Sequence, residues 1–128
     1  MTKSKVTTLI VEDNEMSARL LMHQMQHLGI HTMVHFFDAS KALEWLKQNS
    51  CELVLTDWQM HPMSGANFVR QTRLMELGKQ YRTRIIAITA GAMPSDYQEC
   101  MDAGVDDYLT KPLSISMLSQ CLKKWGIL

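Results

Sequence analysis

The sequence predicts an α/β fold, a doubly wound parallel sheet of five strands with helices on both faces. Two observations predict it. Five apolar runs recur along the chain, four of them short and rich in β-branched residues, as expected of strands buried on both faces. Between them lie segments with a 3.6-residue apolar period, so the order is β-α five times. Such alternation requires right-handed crossovers, which lay helices on both sides of a parallel sheet.

The elements follow in order. The first strand run is Val6 to Val11. Behind it Ala18, Leu21, Met25 and Leu28 recur at spacings of 3, 4 and 3, one helical face, and Gly29 follows as a stop. Thr32 to Phe37 is the second strand, and Ala42, Trp45 and Leu46 begin the second stripe. Leu53 to Thr56 is the third strand; a helix then opens near Gly65 and carries Phe68, Leu74 and Met75. The polar connection Gly78 to Arg84 is a loop within the domain. Ile85 to Thr89 is the fourth strand, with a helix between Pro94 and Gly104. Val105 to Leu109 is the fifth strand. After Pro112, with Ser114 as N-cap, Ile115, Leu118, Leu122 and Trp125 repeat the first helix's spacing. The pattern fills residues 5–125 as one domain, without internal repeats or low-complexity tracts.

Composition narrows the class. The chain has 128 residues, 46% hydrophobic and 20% charged, enough for one self-sufficient core. Thirteen basic and 13 acidic residues balance, which argues against nucleic-acid binding through a bulk basic surface. No run approaches the 18 apolar residues of a membrane span, and the N-terminus does not read as a signal peptide. Cys51, Cys100 and Cys121 form no C-x-x-C pair, so the sequence points to a reducing cytoplasm rather than to a disulfide or zinc framework. Most of the 11 methionines are expected to fill core gaps.

In open α/β sheets, function gathers beyond the C-terminal ends of the strands. There the sequence places Glu12, Asp13 and Asn14 after strand one, Asp57 after strand three, Thr89 and Ala90 after strand four, and Lys111 after strand five. Clustered carboxylates repel and need a cation; all-oxygen ligands suit a hard metal, above all Mg²⁺. Lys111 adds a point charge for an anion, Thr89 a hydroxyl donor, and a carboxylate can itself form an aspartyl-phosphate. The constellation reads as a Mg²⁺-dependent phosphoryl acceptor. Taken singly the residues have plainer roles: Asp13 or Asn14 as helix N-cap, Asp57 with Pro62 and Gly65 as turn chemistry, Thr89 as strand filler, Lys111 as a loop lysine.

LIVEDN at 9–14, LVLTDWQMHPMSG at 53–65, IIAITAGAM at 85–93 and AGVDDYLTKPL at 103–113 together resemble the receiver domain of two-component response regulators. The resemblance runs in order over nearly the whole chain. It implies a flavodoxin-like (βα)5 fold with strand order 2-1-3-4-5. It implies Asp57 as phosphoacceptor, and Glu12, Asp13, Asp57 and the backbone carbonyl of Gln59 as Mg²⁺ ligands. Thr89 matches the switch hydroxyl, Ala90 the neighbouring phosphoryl amide, Lys111 the phosphoryl-pairing lysine, and Tyr108 the aromatic that moves between outward and inward positions. The implied output is a changed surface around the fourth helix, fifth strand and fifth helix.

The sequence departs from the family's pattern after Asp57, where Met60-His61-Pro62-Met63 places His in the usual proline position. His61 either approaches the site or faces solvent. Gly91, two residues past Thr89, is expected to leave the site's mouth open to water.

The implied donor is a phosphohistidine on a histidine kinase or histidine phosphotransfer domain, and the domain would assist only its own phosphorylation and autodephosphorylation. With the first helix's core stripe fixed, Met16, Arg19 and His23 point to the opposite face with Leu20 flanking it, a surface that could seat a partner helix. The expected state is a monomer or weak dimer with no membrane contact of its own. The resemblance extends to receivers at the C-terminal end of hybrid sensor kinases, and a stand-alone single-domain regulator is equally compatible. The alternative is a pseudo-receiver, a phosphorylation-independent interaction module. A haloacid-dehalogenase-type phosphohydrolase fits less well, because Gln59 stands where that family needs a second Asp.

Overall fold

A computed structural model describes residues 7–91 and 93–128. The elements alternate as expected: β1 (Thr8–Val11), α1 (Glu15–His27), β2 (Met33–Phe36), α2 (Ala39–Gln48), β3 (Leu53–Asp57), α3 (Gly65–Glu76), β4 (Arg84–Thr89), α4 (Pro94–Ala103), β5 (Asp107–Thr110) and α5 (Ile115–Lys124). All neighbouring strands pair in parallel, in the order β2-β1-β3-β4-β5. Lys5 and Val6, at the predicted start of the domain, lie outside the described residues.

Side chains alternate across a strand, so one sheet supplies two cores. Leu9, Val11, Val54, Ile85 and Ala87 face α2, α3 and α4, where Phe68 is fully buried. Ile10, Leu53, Leu55, Ile86 and Ile88 face α1 and α5, against Leu21, Met25, Leu118 and Leu122. Each fully buried Leu, Ile or Phe contributes about 1.5–3 kcal/mol relative to exposure. The predicted stripes of α1 and α5 are these buried faces.

Several boundaries differ from the sequence expectation, each for a physical reason. Only β1, β3 and β4 are buried on both faces; β2 and β5 are half-buried because they are the sheet's edges. Leu74 is 60% exposed and does not line the core. It lies six residues past Phe68, well off its face; α3 buries Phe68, Val69 and Thr72 instead. Arg84, expected in the loop, opens β4. Val105 is buried but precedes β5, whose pairing begins with Asp107 opposite Ile86, so the strand runs on to Thr110.

The helix ends are fixed by short polar side chains. Asn14, Asp38, Ser64 and Ser114 accept hydrogen bonds from backbone N–H groups in the first turns of α1, α2, α3 and α5. Gly104 closes α4 at φ +115°, a left-handed conformation that L side chains rarely adopt. At the end of the sheet away from the strands' C-termini, Arg73 ties three elements together. Its guanidinium pairs with Glu76 at 2.8 Å and Asp106 at 3.0 Å and donates to the Gly104 and Thr83 carbonyls. Asp106 also accepts from the Ile85 N–H at 2.8 Å.

Gly65 presses the start of α3 onto the end of β3. A Cβ there would lie 2.6 Å from the Asp57 carbonyl oxygen and 2.8 Å from the Trp58 α-carbon, both backbone atoms. Gly65→Ala is therefore expected to cost about 2 kcal/mol or more, read as a lower urea midpoint with an unchanged slope. A midpoint equal to the parent's would show that the helix retreats freely.

Candidate functional site

The sheet register assembles the site. Val11 pairs with Thr56, so the next residues, Glu12 and Asp57, emerge side by side. Both are 4% exposed, whereas Asp13 is exposed. Carboxylate oxygens of Glu12, Asp13 and Asp57 all lie within 4.8 Å of one another. From the loop after β5, Lys111 places its Nζ 3.3 Å from Glu12 Oε1 and 3.1 Å from Asp57 Oδ1.

Burial pushes the carboxyl pKa of Glu12 up, and the Asp57 charge adds to this; the Asn14 N–H and Lys111 oppose it. Asp57 is likewise pushed up by burial, with Lys111 opposing and Asp13 reinforcing. Burial pulls the Lys111 ammonium down, but its two carboxylate partners hold it above its ordinary value. One ammonium facing three carboxylates leaves excess negative charge in a partly desolvated cleft. Asp57 Oδ1 is buried without a hydrogen-bond partner despite its ion pair. A hard divalent cation fits this donor set, because it supplies charge where an oxygen is left unsatisfied.

On the next strand, Thr89 ends β4 and is fully buried. Its hydroxyl accepts from Gly91 N at 3.0 Å and from Gln59 Nε2 at 2.9 Å. Gln59 Oε1 in turn accepts from the Ala90 N–H at 3.3 Å. The sequence singled out only the Gln59 backbone carbonyl; the side chain's role was illegible, because nothing but its position two residues past Asp57 marks it. Asn14 takes the plain role, capping α1 by accepting from Ser17 N at 2.9 Å. His61 is exposed. Gly91 is half-buried, and the Asp96 carboxylate occupies the space where a side chain on it would begin.

Two further features escaped the sequence. His35 on β2 donates from Nε2 to the Glu12 carbonyl at 3.0 Å, fixing the backbone that carries the acidic pair. A cleft of about 420 Å³ opens beside Lys111, between Leu20, Leu21 and Gln24 of α1 and Pro112 and Leu113 of the last loop. Gln24 Nε2 donates to the Leu113 carbonyl at 3.1 Å, bracing that loop against α1. Met16 is 81% and Leu20 54% exposed beside it, with Arg19 and His23 also exposed. On the other flank Tyr108 is half-buried, its ring 5.2 Å from that of exposed Tyr97 on α4.

This arrangement defines a class. Residues 8–123 match the model of the response regulator receiver domain, and the chain belongs to that family. It is a signal-transduction module of two-component systems. It is 36% identical over 119 residues, 92% of its length, to Hybrid signal transduction histidine kinase G of Dictyostelium discoideum, of which it covers 3%. It is 32% identical over 114 residues, 89% of its length, to Sensor histidine kinase RcsC of Escherichia coli, of which it covers 12%. The chain thus spans a small fraction of these curated relatives. Among solved structures, it resembles the receiver domain of sensor histidine kinase PA1611 from Pseudomonas aeruginosa, which has a magnesium ion coordinated in its active site cleft. The TM-score is 0.83 at 29% identity, over 95% of this chain and 98% of that one. It also resembles a chain in the co-crystal structure of the Saccharomyces cerevisiae histidine phosphotransfer protein Ypd1 and the receiver domain of its downstream response regulator Ssk1. There the TM-score is 0.87 at 27% identity, over 98% and 92% of the two chains.

Carboxyls held above their ordinary pKa stabilise the fold below that ordinary value, about pH 4, and lose the contribution as pH rises through the raised folded-state values. Asp57→Asn removes one such group and leaves Lys111 paired with Glu12. Without divalent metal, the variant is expected to be more stable than the parent at pH 7, read as a higher Tm. Its advantage over the parent should grow from pH 4 to 7 in thermal unfolding scans. A variant less stable than the parent at pH 7 would show that the Lys111 pair outweighs the burial of the charge.

Proposed function

We propose that Asp57 accepts a phosphoryl group from a phosphohistidine donor, and that this biases the surface formed by α4, β5 and α5. The observation that carries this reading is the buried Asp57 at the end of β3, with Lys111 3.1 Å away and the Glu12 and Asp13 oxygens beside it.

Glu12, Asp13, Asp57 and the backbone carbonyl of Gln59 would hold Mg²⁺, as the unsatisfied Asp57 Oδ1 and the all-oxygen donor set suggest. When bound, the ion would neutralise charge on the phosphoryl oxygens. The chain's own residues do the rest. A carboxylate oxygen of Asp57 attacks phosphorus, the O–P bond forms, the donor's N–P bond breaks, and its electron pair returns to the imidazole ring. Lys111 pairs with a phosphoryl oxygen in place of the Asp57 carboxylate charge. The Thr89 hydroxyl and the Ala90 N–H donate to the remaining oxygens. Drawing Thr89 inward frees space that Tyr108 fills, which would loosen its packing on Tyr97 and change the α4-β5-α5 face. Autodephosphorylation reverses the modification, so the domain acts on itself and has no separate substrate.

The partner is a histidine kinase or a histidine phosphotransfer domain. Exposed Met16 and Leu20, flanked by Arg19 and His23, stand beside the cleft next to Lys111 and suit an apolar helix of such a donor. The solved receiver complex with a phosphotransfer protein supports that kind of partner. Among the described residues no helix is long and apolar enough to cross a membrane. The free, buried cysteines fit a cytoplasmic site of action. Burial pushes the Cys51 and Cys121 thiols up to about 12 and Cys100 to about 11, which leaves them inert.

Intact mass after incubation with acetyl phosphate and Mg²⁺ tests the acceptor. A single phosphoryl adduct is expected, lost with EDTA and in Asp57→Asn. A folded protein that neither binds Mg²⁺ nor accepts phosphate from any donor would instead be a pseudo-receiver. Met16→Glu and Leu20→Glu are each expected to slow transfer from a purified phosphotransfer donor about tenfold while acetyl phosphate still labels the site. Unchanged transfer would reject the α1 surface.

A further inference from the structure

One phosphoryl-binding donor, the Ala90 N–H, is already occupied from within the chain, and the other, the Thr89 hydroxyl, is held by its oxygen. Gln59 lies two residues past Asp57, and its side-chain amide bridges both groups assigned above to the phosphoryl oxygens. Its Nε2 donates to Thr89 Oγ1 at 2.9 Å, and its Oε1 accepts from the Ala90 N–H at 3.3 Å. Thr89 Oγ1 is also held by Gly91 N at 3.0 Å, so both acceptor positions of the hydroxyl are used. We propose that the Gln59 side chain is a latch on the resting state: it substitutes for a phosphoryl oxygen at Ala90, pins Thr89 in place, and must withdraw before the phosphoryl group can be held.

Three features support a latch rather than a fixed structural bond. Gln59 is exposed, so its side chain can turn into solvent without opening either core. Thr89 is fully buried, so in the resting state Gln59 is the side chain that engages its hydroxyl from the mouth of the site. The Ala90 N–H is a single donor, and the Gln59 oxygen and a phosphoryl oxygen compete for it. A contact made only in the resting state lowers affinity for the phosphoryl group by the factor that the contact is worth. One part-buried and one exposed amide hydrogen bond are each modest, so the expected penalty is about 3- to 10-fold.

This inference rests on the phosphoacceptor reading and deepens it, since Gln59 becomes a positioning residue that sets the threshold of the switch. The test is a titration with beryllofluoride, a phosphoryl mimic, at saturating Mg²⁺. It compares the parent with Gln59→Met, which keeps the side chain's length and removes its polar atoms, and with Gln59→Ala. Both variants keep the backbone carbonyl. Beryllofluoride is expected to bind both variants about 3- to 10-fold more tightly at the same saturating Mg²⁺. A merely structural role would lower the variants' Tm and weaken their binding of the mimic with it. Equal affinity for the mimic would overturn the latch. Weaker binding would overturn it too, and would assign Gln59 to holding the phosphoryl oxygens. If the folded parent binds no beryllofluoride, the phosphoacceptor reading itself fails and the latch falls with it.

Discussion

Parallel pairing of β1 with β3 forces two buried carboxylates side by side, and much of the site answers that constraint. Once Val11 is opposite Thr56, Glu12 and Asp57 have nowhere else to go. Their charges are costly where burial is deep, so they demand a partner. Lys111 reaches both of them, which requires the loop after β5 to bend back toward β1. Gln24 braces that loop from α1, and His35 steadies the Glu12 backbone from β2. The cluster is thus held by contacts from elements on both sides of it. Its excess negative charge is the property that would make it responsive to a cation.

The fold was legible because its pattern is redundant. The stripe of Ala18, Leu21 and Met25 and that of Leu118 and Leu122 each match a buried face, and Ser114 caps α5 as its position before an apolar period suggests. What misled was local. Leu74 looks like core because leucine usually is, but its angular position on α3 turns it to solvent. Val105 looks like strand because it is β-branched and buried, yet pairing starts two residues later. A composition-based reading does not see edges, so β2 and β5 looked as buried as the central strands.

The site was legible to a different degree. Glu12, Asp57, Thr89 and Lys111 stand at strand ends, where topology alone gathers chemistry, and the structure brings them together. The side-chain bonds of Gln59 and His35 were not legible, since each depends on a rotamer meeting a neighbouring strand's backbone or hydroxyl. Gly65 shows the same limit from the other side. Its place after a proline-containing loop suggests a turn, whereas its actual requirement is the absence of a Cβ against the carbonyl of Asp57.

The Arg73 and Asp106 bonds bear on more than stability. They fasten the chain where it enters β5, and the ties of Asp107 to Trp125 at 2.8 Å and to Lys124 at 3.3 Å fasten the next residue to α5. Tyr108 comes directly after this clamp, and Lys111 lies just past the strand's other end. The last strand is in effect a cantilever, clamped at its root and loaded near its tip. A pull on Lys111 or Thr89 enters at the strand's far end, and the clamp at Asp107 leaves the short stretch from Tyr108, whose ring packs on Tyr97, to Lys111 as the part able to yield. The sheet's other end would act as the wall into which the beam is set, so a small local event could move one surface and leave the rest of the domain still.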